Sequence, residues 1–173
     1  LSVMADEETF GSDLPHDHAH AVGVFALYFN RLEFVVHAFF MRYAPGGPEA
    51  RSFLFDALHN QQRREFIRRV SIATEEPDDA EDVNYAMMCF DICTDNRNLI
   101  LHAAPLVDDN SEALTVWKTR REDPHLMTGY DFKLEDIRGA ARSADDTEGY
   151  ILDLIKFFTD RSKGRPQRPP QPR

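Results

Sequence analysis

Asp91, Asp95, Asn98 and His102 fall at spacings of four, three and four in a segment that is otherwise largely apolar. On a helix those spacings place them in one stripe. Arg97 lies on a neighbouring stripe, beside Phe90, Cys93 and Ile100. Its guanidinium cannot shed its charge, so among such neighbours it calls for a planar anionic partner. His102 stands where the helix should end, and a partly exposed imidazole there titrates near neutrality. An arginine and a histidine so arranged suit the phosphodiester of RNA, whose 2′-hydroxyl is a built-in nucleophile. The histidine would orient or deprotonate that hydroxyl. The arginine would hold the phosphate at two points and stabilise the charge that builds on it. Asn98 would fix the phosphate or the imidazole by hydrogen bonds.

The run Arg97-Asn98-Leu99-Ile100-Leu101-His102 resembles the motif of the HEPN (higher eukaryote and prokaryote nucleotide-binding) superfamily. That motif is an arginine, commonly followed by a small polar residue, and then a histidine, with four to six residues between the two, near the end of a long helix. The resemblance spans about residues 18–160 in layout and six residues in sequence. Sixteen arginines and seven histidines would give about two such pairs by chance. Three occur. Arg31–His37 lies mid-helix in an apolar seam, and Arg120–His125 straddles Asp123-Pro124 in a turn. Only Arg97–His102 joins the helix end, the asparagine and the polar stripe. The resemblance implies a metal-independent endoribonuclease without cofactor, in which two protomers bring their helix ends together to line one cleft. It equally implies two other roles: a catalytically inactive interaction or scaffold module, or a toxin neutralised by a protein antitoxin, a small nucleotidyltransferase. The alternative at the site itself is an ordinary helix C-terminus, with His102 favouring the helix dipole and Arg97 paired to Asp95 or another acid.

A second cationic feature is Arg63, Arg64, Arg68 and Arg69, four arginines within seven residues. They would supply an RNA-binding patch, or else a solvated helix face that balances nearby acids. His16 and His20 are four apart, a spacing that can chelate a transition metal on a helix. With His18, and with His37 and His59 as distant candidates, they define a weaker metal-binding reading. No phosphate-cradling glycine loop and no Gly-x-Ser-x-Gly nucleophile motif is present.

The elements that must hold these residues are helical. Asp17 caps a first helix over 18–43. There Val22, Phe25, Phe29, Leu32, Val36, Phe39 and Tyr43 alternate spacings of three and four, a full a/d seam. Val24, Leu27, Phe34, Val35 and Phe40 add apolar surface off the seam. The helix is therefore expected to be covered on more than one side, either by its own bundle and a second subunit or, as the central helix of a monomeric bundle, by its own chain alone. Pro45-Gly46-Gly47-Pro48 makes a turn. A second helix is predicted over 49–74, with Leu54, Leu58, Phe66 and Val70 at multiples of four, and a third over 80–103, stopped by Pro105. The β-branched and aromatic runs 114–119 and 126–132 predict a hairpin, followed by a last helix over 134–161. The fold expected is all-α, a bundle of four to five helices with a small β-hairpin insertion before the last long helix. Residues 1–15 are expected as an acidic lead-in, 16–161 as the bundle and 162–173 as a disordered or polyproline-like tail.

The net charge is −10, and the tail from Arg161 to Arg173 holds five cations and no anion, leaving residues 1–160 at −15. So acidic a body repels phosphate at long range and disfavours nonspecific nucleic-acid binding, so that any RNA role must rest on a local basic patch. No stretch approaches about 18 consecutive apolar residues, so no membrane association is expected. The acidic start lacks the pattern of a secretory signal. Cys89 and Cys93, four apart, suit two small buried thiols better than a disulfide, which points to a reducing, cytoplasmic setting.

Overall fold

The structure, a computed structural model, describes the backbone of residues 16–102, 104–106, 113–119 and 127–173, and the side chains of 16–101 and 129–173. The acidic lead-in and the Arg120–His125 pair lie outside the described residues. The order is α1 (His16–Tyr43), α2 (Pro48–Ala57), α3 (Asn60–Thr74), α4 (Pro77–His102), β1 (Ala104–Leu106), β2 (Ala113–Thr119), β3 (Met127–Lys133) and α5 (Leu134–Thr159), with a single 3₁₀ turn at Arg161–Lys163. The chain is a helical bundle with a small strand insertion before its last long helix, as the sequence predicts.

α1 is the centre of the bundle. Six of its seven seam residues are buried, from Phe25 to Tyr43, and the seventh, Val22, packs against the core. Its rings pair outward: Phe29 stacks on Phe90 of α4, Phe39 stacks on Phe158 of α5, and Phe40 meets Phe66 of α3. Each fully buried aromatic of this kind contributes about 2–3 kcal/mol through burial. By length and composition α1 would cross a membrane. In the fold ten of its residues are enclosed by the bundle, which accounts for its apolarity. Within one copy two apolar residues of α1 remain uncovered: Leu27 is 65% exposed and Phe34 is 71% exposed.

The single helix predicted over 49–74 is two helices. Leu58 and His59 take extended backbone, and α3 restarts with the Gln62 side chain accepting a hydrogen bond from the His59 amide (3.0 Å). The reason is geometric. Residues at multiples of four drift about 40° per step round a helix. Over the 16 residues from Leu54 to Val70 the drift would carry them to nearly opposite faces. The break resets the phase, and Leu54, Leu58, Phe66 and Val70 all reach the core.

The hairpin is present: β2 and β3 pair antiparallel, with Val116 opposite Tyr130 and Trp117 opposite Gly129. A third strand, β1, pairs with β2 at the edge, where Pro105 stands opposite Val116. An edge position tolerates proline because one of its sides needs no amide donor. β3 runs directly into α5, where Asp136 accepts a hydrogen bond from the Lys133 amide (2.8 Å).

The segment after α5, expected as disordered or polyproline-like, lies along α4. Arg161, Arg165 and Arg168 engage Asp79 and Asp82, and the Tyr85 hydroxyl donates to the Pro169 carbonyl. Acids clustered at the start of α4 give a proline- and arginine-rich chain something to bind, which overrides its compositional tendency to disorder.

Candidate functional site

α4 places its polar stripe by simple periodicity, and its members meet different fates. Asp91, the first, is clamped by two arginines of α3. Arg64 Nε lies 2.5 Å from Oδ1, and an Arg68 terminal nitrogen lies 2.5 Å from Oδ2. Asp95 is exposed and Asn98 is half-buried. His102 is the last residue of α4.

Arg97 is half-buried on the neighbouring stripe. Its guanidinium lies over the Phe29 ring, 5.6 Å from the centroid, and donates to the Asn98 amide oxygen at 3.2 Å. Arg97 makes no ion pair with Asp95 or with any other carboxylate among the described residues. A guanidinium has five N–H donors in a fixed fork, so among the described residues one amide oxygen leaves most of its capacity unanswered. Asn98 is thereby tied to the arginine through its amide oxygen.

The three motif residues do not share one direction on the helix. Asn98 and His102 are one turn apart, separated by about 40° round the axis, whereas Arg97 and His102 are separated by about 140° and about 7.5 Å of rise. The two residues therefore occupy different angular positions on one helix.

Arg97 is joined to the rest of the cationic surface through rings. Phe29 stacks on Phe90 with centroids 6.0 Å apart, and the Arg64 guanidinium lies 5.6 Å from the Phe90 centroid. Beyond Phe90 a groove of about 400 Å³ opens between α1, α2 and α3, with Glu33, His37, Asn60, Arg63 and Arg64 on its walls. Sequence inspection alone misses this groove, because its residues come from four helices and form no motif.

The run Arg63, Arg64, Arg68 and Arg69 is not a free basic patch. Arg64 and Arg68 share Asp91, and Arg69 pairs with Glu65 at 2.6 Å. Arg63 donates to the Phe55 carbonyl at 2.9 Å, which caps α2, and its guanidinium lies 3.7 Å from the Phe55 centroid. Of the Arg31–His37 pair, Arg31 turns to Glu148 (2.9 Å), while His37 packs its ring on Phe55.

Among the described residues no three His, Cys, Asp or Glu side chains are grouped to hold a metal ion. His16 and His20 are exposed, His18 is buried beneath them, and His59 is the residue before α3. Cys89 and Cys93 are free and buried. Burial pushes the Cys93 thiol up to about 12, so it holds its proton and is no nucleophile at neutral pH.

No family model matches the chain, and neither a curated protein nor a solved structure matches it.

Proposed function

We propose that this chain is a HEPN-like, metal-independent endoribonuclease that works as a homodimer. Arg97 would hold the scissile phosphate, His102 would move the proton at the 2′-hydroxyl, and Asn98 would steady the arginine. The observation that carries this reading is Arg97. It is a half-buried guanidinium over an aromatic ring, with a single amide oxygen as partner and no carboxylate among the described residues. Arg64 and Arg68, by contrast, are both answered by Asp91. A guanidinium without a carboxylate among the described residues suits an anion that arrives later.

A second copy answers two difficulties at once. The angular separation of Arg97 and His102 on one helix is relieved when two helix ends oppose each other across a two-fold axis. Leu27 and Phe34, seven residues apart on α1 and left exposed, give such a pair an apolar seam. The acidic body and the internal pairing of Arg64, Arg68 and Arg69 favour a second reading, a catalytically inactive HEPN-like interaction module. Incubation with a single-stranded RNA in excess chelator separates the two readings: the nuclease cuts, and the module leaves the RNA whole.

A further inference from the structure

The nuclease reading does not account for the segment that follows α5. After the 3₁₀ turn, Gly164 adopts φ +72°, a conformation that glycine takes without strain, and the chain reverses to run alongside α4. From Arg165, held by Asp79 (2.7 Å), to Arg173, whose main-chain oxygen accepts from Asn96 (3.0 Å), there are eight residue steps. In polyproline II they span about 25 Å. The seventeen helical steps from Asp79 to Asn96 also span about 25 Å. The two segments are commensurate end to end.

The burial pattern gives the same geometry independently. From Arg165 to Arg173 the covered residues are Pro166, Pro169 and Pro172, and the others are exposed. A period of three is that of the left-handed polyproline helix. The arginines on the acidic side, Arg165 and Arg168, are likewise three apart. Their receptors are Asp79 and Asp82, one helical turn apart on α4 and each only 2% exposed beneath the segment. Tyr85 supplies the aromatic element. Its hydroxyl donates to the Pro169 carbonyl at 2.6 Å, and the Arg168 guanidinium lies 5.3 Å from its ring centroid.

We propose that this face of α4 is a docking site for arginine-bearing polyproline II segments of a partner protein, and that residues 164–173 are the ligand occupying it in cis. The surface reads two features together: cations at a three-residue interval, met by Asp79 and Asp82, and a proline ridge seated against Tyr85. A polyproline segment is already extended, so it loses little conformational entropy on binding. The cis ligand is held mainly by ion pairs, which salt weakens, and is joined to the body through one glycine. A partner segment of the same chemistry can therefore replace it. This inference is independent of the ribonuclease reading.

The test uses the full chain carrying Arg165→Gln and Arg168→Gln, with a fluorescent peptide of residues 164–173 as probe. The double variant should bind the probe at least about tenfold more tightly than the wild type, whose own tail competes at a high effective concentration. A probe with its four prolines replaced by alanine keeps every charge and should bind about tenfold more weakly. Adding Asp82→Asn to the variant should abolish binding. A folded variant that ignores the probe, or one that binds the proline-free probe equally well, overturns the proposal. Should the variant lose its helical circular dichroism, the wild type decides. Millimolar unlabelled peptide must then shift the side-chain guanidinium NMR signals of Arg165 and Arg168 as Asp79 and Asp82 release them, and unchanged signals overturn the proposal.

Discussion

Arg64 and Asp91, 27 residues apart in sequence, meet at 2.5 Å across the α3–α4 interface, and Arg68 completes the clamp on the second carboxylate oxygen. The pairing removes two of the most conspicuous cations in the sequence from the surface charge. It also leaves Arg97, six residues further along α4, half-buried and without an acid among the described residues.

Replacement of Asp91 by asparagine should act on stability and binding in opposite directions. Removing one partner of a half-buried charge cluster costs about 1–2 kcal/mol, after allowance for solvent screening. Urea unfolding should show that loss. At the same time Arg64 and Arg68 are released, so retention of single-stranded RNA on a filter at low salt should increase.

Arg97→Ala should lower RNA cleavage by about 10²- to 10³-fold, the range for losing a donor to a developing oxyanion. The melting temperature should stay within a few degrees, because among the described residues the side chain is tied only to Asn98 and a ring face. Arg97→Lys keeps the charge without the planar fork and should recover only a small part of the activity. Steady-state cleavage of a labelled RNA measures both.

Phe34→Glu puts a charge in the exposed stripe of α1 without touching the core, so the monomer should fold with unchanged helix content. Sedimentation velocity at micromolar concentration should find a dimer for the wild type and a monomer for the variant. Cleavage should fall with the dimer.

Cys93 makes stability depend on alkaline pH. The folded thiol is raised to about 12 by burial, from an ordinary value of 9.0. Between those values the unfolded chain releases the proton and the folded chain keeps it, so stability is complete below pH 9 and falls as pH rises towards 12. Denaturation midpoints at pH 7, 9 and 10 should decline in that order, and Cys93→Ala should flatten the decline. In the native state at pH 8, both cysteines should resist alkylation.

Much of the bundle was legible because its signals are local. The alternating threes and fours of α1 marked its buried face from Phe25 to Tyr43, and the β-branched run at Leu114–Thr119 marked β2. The break at Leu58-His59 was hidden, because spacings of four look helical until their drift is summed over four turns. The fate of the arginine run was hidden for another reason. Its answer, Asp91, lies a helix away, and nothing in residues 61–69 reports it. The seating of Pro166, Pro169 and Pro172 likewise depends on acids more than 80 residues earlier. At the candidate site the sequence supplied the types and spacing of Arg97, Asn98 and His102. The absence of a competing carboxylate at Arg97, among the described residues, required packing to be known.

The most direct measurement follows the ends of the RNA. A defined single-stranded substrate is incubated with wild-type protein and with His102→Ala in excess chelator, and the products are resolved by mass spectrometry. The nuclease reading requires 2′,3′-cyclic phosphate termini with the wild type and none with the variant. Intact RNA with folded, dimeric wild-type protein would contradict it, as would cleavage that survives the loss of His102.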